Sequence, residues 1–166
     1  MTSLPVLTSE RVRGHPFLKG LETRHIESLE GAAMEVEFRP SELIFRKGEP
    51  ANRFYLLLDG SVVIRESDAF AFQVLHGGDV LGWSAIFPPY TSHFEAQAVE
   101  KSRAVFFYAS WVLDKCDLDH DLGYELMKRM ASVLVDRLQA RRRARVATTQ
   151  AGSDRAQEHP ASDSSA

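Results

Sequence analysis

Residues 45–98 limit the fold more than any other part of the chain. The stretch opens FRKGEPANRFYLLLDGSVVIRES, with Gly48 and Gly60 twelve residues apart, and closes HGGDVLGWSAIFPPYTSHFEAQA. Phe54, Leu56 and Leu58 alternate on one face, and Val62 and Ile64 resume the alternation after Asp59-Gly60. An Asp-Gly pair between alternating apolar runs predicts a hairpin, because glycine takes positive φ without a Cβ clash. Further on, Val80-Leu81-Gly82-Trp83-Ser84-Ala85-Ile86-Phe87 runs from a Gly77-Gly78-Asp79 loop into Pro88-Pro89. That pattern predicts a short helix, stopped by the prolines, whose first turn offers unpaired backbone N–H groups. A helix start of this kind inside a small β structure is a seat for an anion.

The same two-residue period recurs on both sides. Val36 and Phe38 alternate with Glu35, Glu37 and Arg39 ahead of a Pro40-Ser41-Glu42 turn. Strands are predicted at 43–45, 55–58, 62–65 and 70–75, then through Phe94, Ala96 and Ala98, and last at 104–108. Many short strands with Gly and Pro between them predict a mainly β fold, a jelly-roll-like roll with flanking helices. Residues 1–15 read as an irregular arm. Leu21, Ile26 and Leu29 then suit a short amphipathic helix with Glu22, Arg24 and Glu27 outward and Thr23 as a cap.

After the strands, Ser110 is placed to cap a helix over 111–115, and a longer helix covers 121–143. Its apolar positions are Leu122, Leu126, Met130, Val133, Leu134 and Leu138, in steps of three and four. The stripe is too long for one small roll to cover, so it reads both as packing on the roll and as a seam between two chains. Arg137, Arg141, Arg142, Arg143 and Arg145 come next, five arginines within nine residues. Such a run is a solvated helix end favoured by the dipole, or a non-specific phosphate contact. Residues 147–166 lack Val, Ile, Leu, Phe, Met and every aromatic, and are expected to be disordered.

The pattern KGEPANRFYLLLDGSVVI followed by GDVLGWSAIF resembles the cyclic-nucleotide-binding domain of the catabolite-activator/FNR type, over residues 17–143. The resemblance implies a cyclic-nucleotide-binding-like domain over residues 16–146, a β-roll with flanking helices, and a homodimer through helix 121–143. It also implies a cavity for cAMP or cGMP, with phosphate on the N–H groups of the short helix. In that family an arginine from the next strand holds the phosphate, and a glutamate after the motif glycine takes the ribose 2′-OH. Here Gly82 keeps the glycine position, but Trp83 stands at the glutamate. The arginine position falls on Ser92 or His93, with Thr91 and Phe94 beside them and Glu95 next. Losing such a charge-assisted pair costs a few kcal/mol, about two or three orders of magnitude in affinity.

Three readings are open. In the first, Trp83, Ser84 and Ala85 N–H groups seat a nucleotide-like or other small anion, with His93 as partner and Arg141 or Arg142 reaching in from the long helix. In the second, Trp83 supplies a stacking face or apolar wall for a different ligand. In the third, Trp83 fills the cavity and the domain is a ligand-independent scaffold or accessory subunit. The helix-turn-helix of the related transcription factors has no counterpart in residues 147–166, so the chain alone is not expected to bind specific DNA sequences. It is expected to signal to a protein partner.

Enzyme chemistry finds no support. The six histidines show no convergent metal-ligand spacing, and no nucleophile elbow, P-loop or His-Glu-x-x-His motif occurs. A single Cys116 excludes an intrachain disulfide and fits a cytoplasmic protein, and no apolar run has the length of a membrane span.

Overall fold

The alternating segments become eight strands in two antiparallel sheets, described for residues 6–157 apart from Ala69 in the computed structural model. They are β1 (Met34–Phe38), β2 (Leu43–Phe45), β3 (Arg53–Asp59), β4 (Ser61–Ser67), β5 (Phe70–His76), β6 (Val80–Leu81), β7 (Glu95–Ala98) and β8 (Ser102–Tyr108). One sheet has the order β1-β8-β3-β6 and the other β2-β7-β4-β5. The helices are α1 (Val6–Arg13), α2 (Thr23–Ala32), α3 (Ala109–Leu118) and α4 (His120–Gln157).

β3 explains the layering. Phe54, Leu56 and Leu58 face the helices, in a core with Val12, Leu18, Leu122 and Met130. Tyr55 and Leu57 point the other way, into the space between the sheets with Ile64, Leu75 and Phe106. The strand therefore alternates between two cores and not between core and water.

The expected hairpin at Asp59-Gly60 does not form, because β3 and β4 lie in different sheets. The pair is a corner that carries the chain from one sheet to the other. Gly60 does take positive φ (+91°), and a Cβ there would lie 2.2 Å from Ser102 Oγ. Asp59 anchors the corner, accepting from Arg11 at 2.6 Å and from Arg103 at 2.8 and 3.0 Å.

The helical layer departs from expectation in three places. The arm expected to be irregular holds α1, whose Thr8 and Val12 are buried, while residues 1–5 lie outside the described part. Thr23 is the first residue of α2 and Glu22 the cap position, and Tyr108, not Ser110, precedes α3. α4 runs on through residues 147–157, where disorder was expected; residues 158–166 are outside the described part. That extension is exposed, and its Thr148 and Thr149 hydroxyls bond back to the Ala144 and Arg145 carbonyls.

Asp119 starts α4, its carboxylate accepting the Leu122 N–H at 3.2 Å. His25 and Arg24 of α2 reach the same carboxylate at 2.9 and 2.8 Å. The Leu122 N–H first, then His25 and Arg24, hold its pKa down at about 2. Leu122, Leu126 and Met130 are buried as expected, but Leu138 is 66% exposed. Arg137 and Ala140 turn inward instead.

Candidate functional site

β6 takes the place of the first turn of the expected helix. Val80 and Leu81 pair with Leu56 and Tyr55 of β3, so the backbone is strand up to Gly82. Gly82 then takes φ +82°, and a Cβ there would meet the Arg53 carbonyl oxygen at 2.5 Å. Only glycine fits a turn so close to a neighbouring strand. Beyond it the chain makes a single 3₁₀ turn, Trp83–Ala85. The Ala85 N–H donates to the Gly82 carbonyl at 3.1 Å, so it is not available to an anion. The Trp83 and Ser84 N–H groups have no backbone acceptor among the described residues.

Aromatic side chains occupy the space in front of this turn. The half-buried Trp83 ring stacks on His93 with centroids 5.1 Å apart, and Phe94 meets it edge-on at 6.4 Å. Phe94 in turn packs against Phe72 at 4.8 Å, and His93 Nδ1 lies 3.1 Å from Ser84 Oγ. A cavity of about 20 Å³ remains, walled by Phe45, Ile64, Trp83, Ser84, Phe94 and Arg137. That is room for about one water molecule.

Arg137 is the one arginine of the run that lines this cavity. Its side chain enters from α4 and is 6% exposed. It donates from Nη1 to Gln73 Oε1 and from Nη2 to the Val80 carbonyl, both at 2.8 Å. No carboxylate lies within ion-pair distance of it among the described residues. Burial lowers the guanidinium pKa, against Asp79 and Asp136, yet an arginine stays charged at neutral pH.

Arg141 and Arg145 lie one and two turns further along the same helix face and do other work. Arg141 makes a bidentate pair with Glu66 at 2.6 and 3.0 Å. Arg145 adds a bond to Glu66 at 2.8 Å and sits over the Phe70 ring at 4.8 Å. Arg141 first and then Arg145 pull the Glu66 pKa down to about 2. These contacts fasten α4 to the β4–β5 pair. The run is therefore not a solvated helix end, although Arg142 and Arg143 are exposed.

The residues singled out in the sequence thus separate. Gly82, Trp83 and Ser84 line the cavity, with His93 stacked on Trp83; Arg141 and Arg142 do not reach it. Ser92 is buried behind Gly82, its carbonyl accepting from the Gly48 N–H and its N–H donating to the Glu49 carbonyl at 2.7 and 2.9 Å. It lines a second hollow of about 200 Å³ with Glu49, Asn52, Arg53 and Tyr55. Sequence reasoning missed Arg137, Phe94 and Arg53 as site residues. For Arg137 a signal existed, since it stands seven residues after Met130 on the buried stripe.

Residues 35–117, half of the chain, match the model of the cyclic nucleotide-binding domain. The chain belongs to the cyclic nucleotide-binding domain family. A CRP-like cAMP-activated global transcriptional regulator of Mycobacterium tuberculosis is 27% identical over 122 residues, covering 69% of this chain and 54% of the regulator. A cAMP-dependent protein kinase regulatory subunit of Dictyostelium discoideum is 33% identical over 75 residues, covering 38% of this chain and 23% of the subunit. The chain therefore spans about half the length of the regulator and a quarter of the kinase subunit. Among solved structures, a cyclic nucleotide-binding protein from Geobacter metallireducens superposes with a TM-score of 0.72 at 24% identity, covering 79% of this chain and 98% of that one.

In this cyclic nucleotide-binding domain the cavity after Gly82 is faced by the aromatic rings of Trp83 and Phe94 and by Arg137. No group of three or more His, Cys, Asp or Glu residues is placed to hold a metal among the described residues. No helix among them is long and apolar enough to cross a membrane.

Proposed function

We propose that this chain is a regulatory domain of the cyclic nucleotide-binding fold that fixes its long helix without a cyclic nucleotide. The observation that carries the reading is the cassette cavity of about 20 Å³. Ligand clefts for molecules of nucleotide size run from roughly 300 Å³ upward. Trp83 and Phe94 occupy the volume, and Arg137, bonded to Gln73 and the Val80 carbonyl, bridges α4 to the roll where a ligand would otherwise do so. Glu66, through Arg141 and Arg145, fastens the next two turns. The output is contact with a protein partner, and no catalytic role is assigned.

The exposed face of α4 supplies the surface for pairing with a second copy. Tyr124, Val135 and Leu138 are 67%, 51% and 66% exposed, apolar positions on a helix that extends past the roll. Sedimentation of the wild type and of Leu138→Glu tests this part. A dimer that becomes monomeric supports it; a wild-type monomer at tens of micromolar counts against it.

A second reading, favoured by Arg137 and the unpaired Trp83 and Ser84 N–H groups, keeps the cassette as a seat for one small inorganic anion. Calorimetric titration with cAMP, cGMP and sodium chloride or nitrate separates the two. No heat from any of them supports the first reading. Saturable binding of chloride or nitrate alone selects the second, and micromolar cAMP or cGMP binding overturns both.

A further inference from the structure

The larger hollow beside Gly82 is absorbed by neither reading. It opens between the ends of the two sheets, with Ile44 and Phe45 on one wall and Arg53 and Tyr55 on the other. Arg53 starts β3, is exposed, and has no carboxylate within ion-pair distance among the described residues. Its guanidinium is held in place by aromatic faces, 4.5 Å from the Phe106 ring centroid and 5.7 Å from that of Tyr108. Tyr55 is 6% exposed and burial raises its pKa, against the neighbouring Arg53, so its hydroxyl keeps its proton and is a donor. Asn52 completes the polar set, and Glu49, whose carboxylate accepts the Arg46 N–H at 3.1 Å and lies 3.8 Å from the Arg46 guanidinium at an exposed site, lines the same hollow.

We infer that this cleft binds a small α-amino acid with an apolar side chain, its carboxylate on Arg53 and Tyr55 and its ammonium on Glu49. Three features select the class. A planar guanidinium without a carboxylate partner, here beside the Tyr55 hydroxyl, pairs with a ligand carboxylate. A carboxylate in the same hollow disfavours a simple anion and favours a ligand that also carries a positive group. The cleft of about 200 Å³, against roughly 15 Å³ of such volume per water, admits on the order of ten non-hydrogen atoms. Leucine and methionine have that size, and Ile44, Phe45, Pro50 and Ala51 offer the apolar wall. Binding here does not depend on how the cassette is read, although both hollows share the Gly82 backbone.

The test is calorimetric titration of the whole chain with L-leucine, with its des-amino analogue 4-methylpentanoate and with its decarboxylated analogue 3-methylbutylamine. Leucine is expected to bind with a Kd on the order of 0.1 to 1 mM, each analogue about tenfold or more weakly. Arg53→Gln and Tyr55→Phe are expected to weaken leucine by about tenfold or more. The inference is overturned if neither leucine nor methionine saturates below about 10 mM. It is equally overturned if 4-methylpentanoate binds as well as leucine, or if Arg53→Gln with an unchanged melting curve binds leucine as the wild type does.

Discussion

Two hollows flank the backbone at Gly82, one of about 20 Å³ and one of about 200 Å³. The small one, after Gly82, is closed by Trp83 and Phe94 against Arg137. The large one keeps its polar groups turned to an open space, with Arg53 propped on Phe106 and Tyr108. On the proposed reading, one fold here trades binding for packing. Removing the family's phosphate-pairing charges from a buried seat leaves desolvated N–H groups and a void, both unfavourable. Filling the void with aromatic rings recovers dispersion and apolar burial, and makes the position of α4 a property of the chain itself.

Gly82→Ala should disturb both hollows at once and give the largest effect. Positive φ and a Cβ at 2.5 Å from the Arg53 carbonyl are expected to cost about 3 to 4 kcal/mol in urea unfolding. Arg137→Ala strikes the closed side alone. It leaves the Val80 carbonyl and Gln73 without their partner and opens a void, for an expected loss of about 2 to 3 kcal/mol by the same measurement. Trp83→Ala, at a half-buried site, should cost about 2 kcal/mol and enlarge the small hollow towards the size of its neighbour, visible as a new solvent-filled cavity in a crystal structure.

Glu66→Gln gives the smallest loss, about 1 kcal/mol at neutral pH, because the clamp it breaks is partly exposed. Its pH dependence sharpens the comparison. The folded-state pKa of Glu66 lies at about 2, below its ordinary 4.5, so its contribution is complete above pH 4.5 and lost as pH falls towards 2. Asp119, also held at about 2, behaves alike at the other end of α4. Urea midpoints measured down this window should fall less steeply for Glu66→Gln than for the wild type.

Much of the fold was legible because burial periodicity survives in the residues themselves. Seven of the eight strands lie where apolar alternation or an apolar run marks them. β6 was hidden because Val80-Leu81 is too short to alternate, and the prolines at 88 and 89 suggest a helix end. The Asp59-Gly60 corner was read as a hairpin because the local requirement, positive φ at Gly60, is the same for both; only the pairing of β4 with β7 and of β3 with β8 distinguishes them.

On α4 the apolar stripe through Leu138 was read as roll packing or a two-chain seam, and neither reading placed Arg137 in the interior, where two hydrogen bonds meet its needs. That Phe94 and Trp83 jointly close the cavity depends on side-chain directions that no spacing rule supplies.

The central claim is that α4 is docked by the chain's own contacts in the absence of a nucleotide. Amide hydrogen exchange over residues 133–146 in the ligand-free protein tests it most directly. Protection close to that of the β3 and β8 core, unchanged by added cAMP or cGMP and reduced in Arg137→Ala, is the expected result. Rapid exchange across this segment that slows when a cyclic nucleotide is added would contradict it.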